Sequence, residues 1–432
     1  MRRDGSTKFG PNNRFGTFPA VSLGWNVMNE EFFNVEKINL LKLRASWGVN
    51  GNDRIADWQY IPLVQAGQNY TFGPDEDITN GSTSIQAANP DIKWEESTQT
   101  NLGINLEMMD SKLEFIVDYF NKATKDMLYA APIPFHVGAE APTQNIADMV
   151  NRGWEFTVAY RNNDNKFTYG VDANFTTIDT EITGLGNGGE PIFTGFIQSA
   201  GASVIKTDVG LPLAAFWGYE MDGIFQNKAE IEAHAEQSGA APGDIRFKDL
   251  NGDGVIDQED QTVIGSALPD FSYGLSGNVG YAGFDLGVSF YGSQGNEIYN
   301  NTTRYDFTYV NRPNSVLNRW TGEGTSNTEP RVNLSDPNQN ARISTRFVED
   351  GSFLRLKNVE LGYKLPNAVL QKIKFYKLRA YISAQNLVTW TKYTGYDPEI
   401  GQINRNNGLE LGIDHGFYPS ARGFLVGLQA EF

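Results

Sequence analysis

Apolar and polar residues alternate one by one along much of this chain, and a side-chain period of two belongs to β-strands with one apolar and one wet face. Leu102, Ile104, Leu106 and Met108 interleave with Asn101, Gly103, Asn105 and Glu107. Trp154, Phe156, Val158 and Tyr160 alternate with Glu155, Thr157 and Arg161. Phe167, Tyr169, Val171, Ala173 and Phe175 alternate with Thr168, Gly170, Asp172, Asn174 and Thr176. The pattern recurs over Phe271–Tyr281, Phe284–Phe290 and Leu378–Ala384. It predicts about eleven strands, near 15–27, 37–49, 94–108, 113–125, 150–161, 166–180, 270–281, 284–297, 350–365, 375–390 and 420–432. Their polar faces carry charges and amides, as the wall of a water-filled interior would.

The connections between these strands alternate in length. They are short at 28–36, 109–112, 162–165, 282–283 and 366–374, and long at the intervening positions. A soluble sandwich gives no reason for every second link to be long. A transmembrane barrel does, with short periplasmic turns and long extracellular loops. No apolar run approaches the roughly 18–20 residues a spanning helix needs, so a membrane role rests on strands, which cross in roughly 9–11. The expected fold is therefore all-β, a transmembrane antiparallel β-barrel with long extracellular loops.

The last strand ends in an alternating stripe of Phe424, Val426, Leu428, Ala430 and Phe432. This ending resembles the signal by which outer-membrane barrels are recognised for insertion. A periplasmic C-terminus then places every short turn in the periplasm and every long loop outside. With an odd strand count, the first and last strands run the same way and cannot close antiparallel on each other. Open edges in lipid cost several kcal/mol per unsatisfied group, so these strands are expected to belong to a larger barrel. Met1-Arg2-Arg3-Asp4-Gly5 leads directly into strand-like sequence with no apolar segment behind it. No signal peptide is expected there, and the beginning of an exported chain is expected to be missing.

Several function classes fall away on composition. There is no cysteine, which removes disulfides, thiolate metal sites and cysteine nucleophiles. A formal charge of -17 argues against nucleic acid, whose phosphates need clustered Lys and Arg. His136, His234 and His415 are isolated in predicted loops without a triad-like arrangement, so no catalytic residue is assigned. Loop aromatics are plentiful, at Trp58, Tyr60, Tyr70, Phe72, Trp217, Tyr219, Tyr305, Phe307, Tyr309, Trp320, Tyr393 and Tyr396. They could stack on sugars, grip apolar peptide side chains, or pack the loops. Trp25, Trp47, Trp94, Trp154 and Trp390 fall near strand ends, where interfacial girdles form.

One motif points to a cation. Within the long link 181–269, residues 249–260 read Asp249-Leu250-Asn251-Gly252-Asp253-Gly254-Val255-Ile256-Asp257-Gln258-Glu259-Asp260. This matches an EF-hand loop at its first, third, fifth and sixth positions, with Asp in place of the final Glu. Oxygens on alternate residues can converge on one hard cation while Gly254 permits the turn between them. The expected calcium ligands are Asp249, Asn251, Asp253, the Val255 carbonyl, Asp257 through water, and Asp260. Asp-Gly and Asn-Gly pairs also make ordinary turns, so a solvated acidic turn is the competing reading.

The sequence as a whole resembles the SusC/RagA type of TonB-dependent transporter. The resemblance is carried by Arg2-Arg3-Asp4-Gly5, Phe9-Gly10-Pro11-Asn12-Asn13-Arg14 and Phe18-Pro19-Ala20-Val21-Ser22. It continues through Arg44-Ala45-Ser46-Trp47-Gly48-Val49-Asn50-Gly51-Asn52, Asn89-Pro90-Asp91-Ile92-Lys93-Trp94-Glu95, Asp118-Tyr119-Phe120-Asn121-Lys122 and Asn151-Arg152-Gly153-Trp154-Glu155. Lys248 to Gly254, Gln385-Asn386-Leu387 and Gly395-Tyr396-Asp397-Pro398-Glu399 complete it. The resemblance implies about 22 strands, a size at which barrels enclose a plugged lumen, so residues 1–432 would supply about the last eleven. It also implies an outer membrane of a Bacteroidetes-like bacterium, a SusD-type lipoprotein lid, and oligosaccharide or peptide substrates. Contact with the TonB complex would come from an N-terminal region not represented here. A passive porin or adhesin barrel, and a secreted calcium-dependent binding module, are the alternatives.

Overall fold

The computed structural model describes residues 1–130, 135–163, 166–186, 188–303, 312–402 and 408–432. The chain forms two compact units. The first comprises Met1–Val158, Thr177–Ile192 and Asp208–Leu211, and the second Ala159–Thr176, Phe193–Thr207 and Pro212–Phe432.

In the first unit, strands β1 (Ala20–Asn26), β2 (Ile38–Asn52), β3 (Glu95–Met108), β4 (Leu113–Ala130) and β5 (Thr143–Asn162) are hydrogen-bonded neighbours in sequence order. β5 continues covalently into the second unit at Ala159. There β6 (Phe167–Thr177), β7 (Phe271–Tyr281), β8 (Phe284–Gln294), β9 (Phe353–Lys364), β10 (Lys377–Thr391) and β11 (Gly423–Glu431) follow in the same chain-order manner. The pairs β1–β2, β2–β3, β3–β4, β7–β8, β8–β9, β9–β10 and β10–β11 are antiparallel. All eleven expected strands are thus present as a meander.

The ends differ from expectation in instructive ways. The first predicted strand is split at Pro19, which has no N–H for a ladder: Phe15–Phe18 pairs with Arg2–Gly5, and β1 starts at Ala20. β4 and β5 run to 18 and 20 residues, well beyond a membrane crossing, which shortens the link between them to 131–142. That link is therefore scarcely longer than the short ones. Of the expected short turn 162–165, residues 164–165 lie outside the described residues.

Described residues of the remaining long links form further short strands. From Phe193 on in the second unit, the short strands Ile192–Ile197, Ala202–Thr207, Ala215–Gly218 and Thr262–Ser266 form a small sheet in that order. Val204, Ile205, Phe216, Tyr299, Phe347 and Ile413 close into a fully buried cluster against it. This loop layer has the apolar interior of a water-soluble domain.

Candidate functional site

The two faces of the meander are chemically opposite. Leu23 (74% exposed), Val426 (85%) and Leu428 (73%) stand free, as do Leu102, Ile104, Phe167, Val171, Leu286 and Ile382. So many exposed apolar side chains on the strands of a soluble protein would be an aggregation hazard. The residues between them hold charge. In the first unit Arg44 on β2 reaches across Gly103 on β3 to Asp118 on β4, with Nη2 2.8 Å from the carboxylate and Nε 2.6 Å from Asn105. Gly103 is needed there, because a Cβ would fall 2.2 Å from Asp118 Oδ1 and 2.7 Å from Arg44 Nη2. In the second unit Arg379 on β10 passes over Gly362 on β9 to Asp285 on β8, and also holds Glu360 at 2.7 Å. The same device therefore appears twice: an arginine laid over a strand glycine to a carboxylate two strands away.

Towards the long loops, Arg355 is buried and grips Asp397 and Glu399 of the link 392–422, with Thr389 2.8 Å from its Nε. Lys357, the extra residue of a β-bulge in β9, reaches Glu399 at 3.1 Å. Burial acts to raise the Asp397 carboxyl, but N–H groups of Ser420 and Glu399 and the Arg355 guanidinium outweigh it and hold it below the usual carboxylate range. In the same loop region the buried Tyr393 hydroxyl donates to Asp414, and burial with that carboxylate pushes its ionisation far above normal.

The loop aromatics divide on exposure. Trp58, Tyr70, Phe72 and Tyr396 are open to solvent. Tyr219 and Tyr393 are buried, and the indole N–H groups of Trp217 and Trp320 donate to Gln261 and Gln226. Tyr305, Phe307 and Tyr309 lie outside the described residues. Trp25, Trp47, Trp154 and Trp390 stand exposed on their strands, whereas Trp94 is buried against Phe9 and Phe18. Trp94 is therefore a core residue: the N-terminal hairpin, which strand alternation did not reveal, brings those two rings onto it.

Residues 249–260 form a tight acidic turn in the second unit. Both Asp249 oxygens accept backbone N–H groups, from Gly252 at 2.7 Å and Gly254 at 2.9 Å. Asn251 accepts from Asp253, and Asp253 from Val255. Asp257 caps the turn Gln258–Asp260, and fully buried Asp260 accepts from Leu250 and Asp257. Gly252 and Gly254 hold φ at 77° and 86°, where other residues are strained. Ile256 packs with Tyr219, Ile245 and Phe247, and its N–H donates to the Glu236 carbonyl, so the loop is tied to its neighbours. The oxygen donors suit calcium in kind. Among the described residues, however, no three His, Cys, Asp or Glu side chains group as a metal site.

Strands with an apolar exposed face and an ion-paired opposite face define an antiparallel transmembrane β-barrel protein. The chain belongs to the TonB dependent receptor-like β-barrel family, which it matches over residues 1–387. That family is one of outer-membrane receptors of Gram-negative bacteria, not of enzymes. The chain is 35% identical to TonB-dependent receptor P3 of Formosa agariphila and 31% identical to TonB-dependent receptor SusC of Bacteroides thetaiotaomicron. Each match uses 100% of this chain but only 43% and 42% of the relative. Its fold is similar to a solved structure of the RagAB peptide transporter, with a TM-score of 0.81, 26% identity, and 45% of that chain covered. The chain spans less than half the length of these relatives.

Proposed function

We propose that this chain forms the C-terminal part of the barrel of an outer-membrane TonB-dependent importer. The importer takes up oligosaccharides or peptides together with a SusD-type lipoprotein, in a Bacteroidetes-like bacterium. The observation that carries the reading is that the strands of each unit have an exposed apolar face and arginine–carboxylate bridges on the other face. Energy coupling to the TonB complex falls to a region outside these residues. The insertion signal is the stripe Phe424, Val426, Leu428, Ala430 and Phe432, all five of which are exposed on or just past β11. An antibody against this stripe, used on native outer membranes, tests the proposal. It should detect a heat-modifiable band far above 48.0 kDa. A soluble band at 48.0 kDa would sink it.

Calcium is the second part of the proposal. Asp249, Asn251, Asp253, the Val255 carbonyl, Asp257 and Asp260 turn about one loop whose glycines already hold the required conformation. Their charge and oxygen chemistry support a structural cation that pins the link 181–269. Calcium should protect this link from protease with half-effect on the order of 10⁻⁴–10⁻³ M, and Asp249→Ala with Asp253→Ala should abolish the protection. Cleavage indifferent to calcium and to chelator would remove the cation from the proposal.

A further inference from the structure

A cleft of about 460 Å³ opens among the loops of the second unit, a volume typical of small-ligand sites. Arg312, Arg319, Arg331 and Arg346 all line it, in a chain whose formal charge is -17. Two carboxylates share the lining, and both are committed. Glu329 accepts from Arg346 at 2.9 Å, and Asp336 accepts the backbone N–H groups of Asn340 and Ala341 at 2.8 and 3.0 Å. Behind the lining, fully buried Asp244 grips Arg331 in a two-pronged pair at 2.8 and 2.9 Å, which fixes the plane of that guanidinium. Arg319 is different. Its guanidinium donates to the Val316 carbonyl at 3.3 Å and has no carboxylate partner among the described residues. Val332 and Leu334, 48% and 72% exposed, add aliphatic surface, and among the described residues no aromatic ring lines the cleft.

We propose that this cleft is a carboxylate-recognising subsite of the importer, centred on Arg319 and selecting peptides that present a free acid group next to an aliphatic side chain. The proposal rests on the importer reading above and narrows its substrate class. A guanidinium fork matches a carboxylate with two parallel hydrogen bonds. Arg331 and Arg346 are each paired with a carboxylate, Asp244 and Glu329, so the ligand's charge falls to Arg319. Val332 and Leu334 can cover an aliphatic side chain.

The test uses the complete transporter purified in detergent and four fluorescent probes: a leucine-rich pentapeptide with a free C-terminal acid, its C-terminal amide, a tri-uronate, and the matching neutral trisaccharide. The acid peptide should bind about tenfold more tightly than the amide, the worth of one charge-assisted pair. Arg319→Gln should erase that preference and Arg319→Lys retain part of it. Equal binding of acid and amide, a preference for the tri-uronate over the acid peptide, or a preference that survives Arg319→Gln would each overturn the proposal, as would failure of all four to bind. Heat-modifiable migration of the same sample reports separately on the barrel, so a failed subsite and a failed importer reading give different results.

Discussion

Leu428 and Phe216 are both large apolar side chains on β-strands of the second unit, yet Leu428 is 73% exposed and Phe216 is wholly buried. Around Phe216 the loop layer follows the rule of proteins in water, with Val204, Ile205, Tyr299 and Phe347 closing a core. Around Leu428 the rule is reversed. On β10 the exposed face carries Ile382 and the other face Arg379 paired to Asp285 and Glu360. The hydrophobic effect is the same in both places; what differs is the solvent each region meets. An apolar face costs nothing in lipid, while a charge facing lipid is expensive, so the strands turn their arginines away from it.

Substitutions that act on one region and spare the other test this contrast. The largest effect is expected from Phe216→Ala, which empties the centre of the loop core and should cost about 3–5 kcal/mol. In the assembled outer-membrane protein it should open the link 181–269 to protease while heat-modifiable migration persists. Loss of both together would mean that the two regions do not have separate solvents. Val426→Arg should do the reverse at about 2–4 kcal/mol, lowering the yield of heat-modifiable protein without exposing the loops. A smaller effect, about 1–3 kcal/mol, is expected for Gly103→Ala, whose methyl group must push Arg44 or Asp118 aside. It should lower the temperature at which the folded band disappears, and Gly287→Ala on β8, with nothing within 4 Å, serves as a control for added bulk.

The smallest effect concerns pH. The folded Asp397 carboxyl is depressed, so its contribution is fully present above the ordinary carboxylate value near pH 4 and is lost as pH falls through the folded value. Hydrogen-exchange protection in the link 392–422, relative to the intrinsic amide rate at each pH, should therefore fall below about pH 4. In Asp397→Asn that protection should already be low at neutral pH and change little with acid.

The strands were legible because lipid on one side and water on the other impose a period of two over many residues. Their ends were less so. β4 and β5 overrun the expected bounds at Ala130 and Thr143, since a strand that leaves the membrane need no longer alternate. The loop layer was not legible at all: strands such as Ala215–Gly218 have too few residues to show a period, and their core is assembled from residues as distant as Val204 and Ile413. The pairing of Arg355 with Asp397 and Glu399 was hidden for the same reason, although the resemblance did single out Gly395 to Glu399. The arginine bridges left a visible trace. Gly103 interrupts an otherwise regular strand, and a glycine in a strand interior marks a close approach by another group.

That glycine also guards the alignment of its strand. The smallest sliding error that keeps Leu102 and Ile104 on the lipid side is two residues. Such a slip would place Asn101 or Asn105 beneath the guanidinium of Arg44, which passes over bare backbone only at Gly103. The mispaired strand would keep its ladder bonds and its outward apolar stripe, but the arginine would meet an amide side chain and lose its straight path to Asp118. A sheet built from near-identical alternating ribbons has little else to tell one offset from the next; here a missing methyl group does the proofreading.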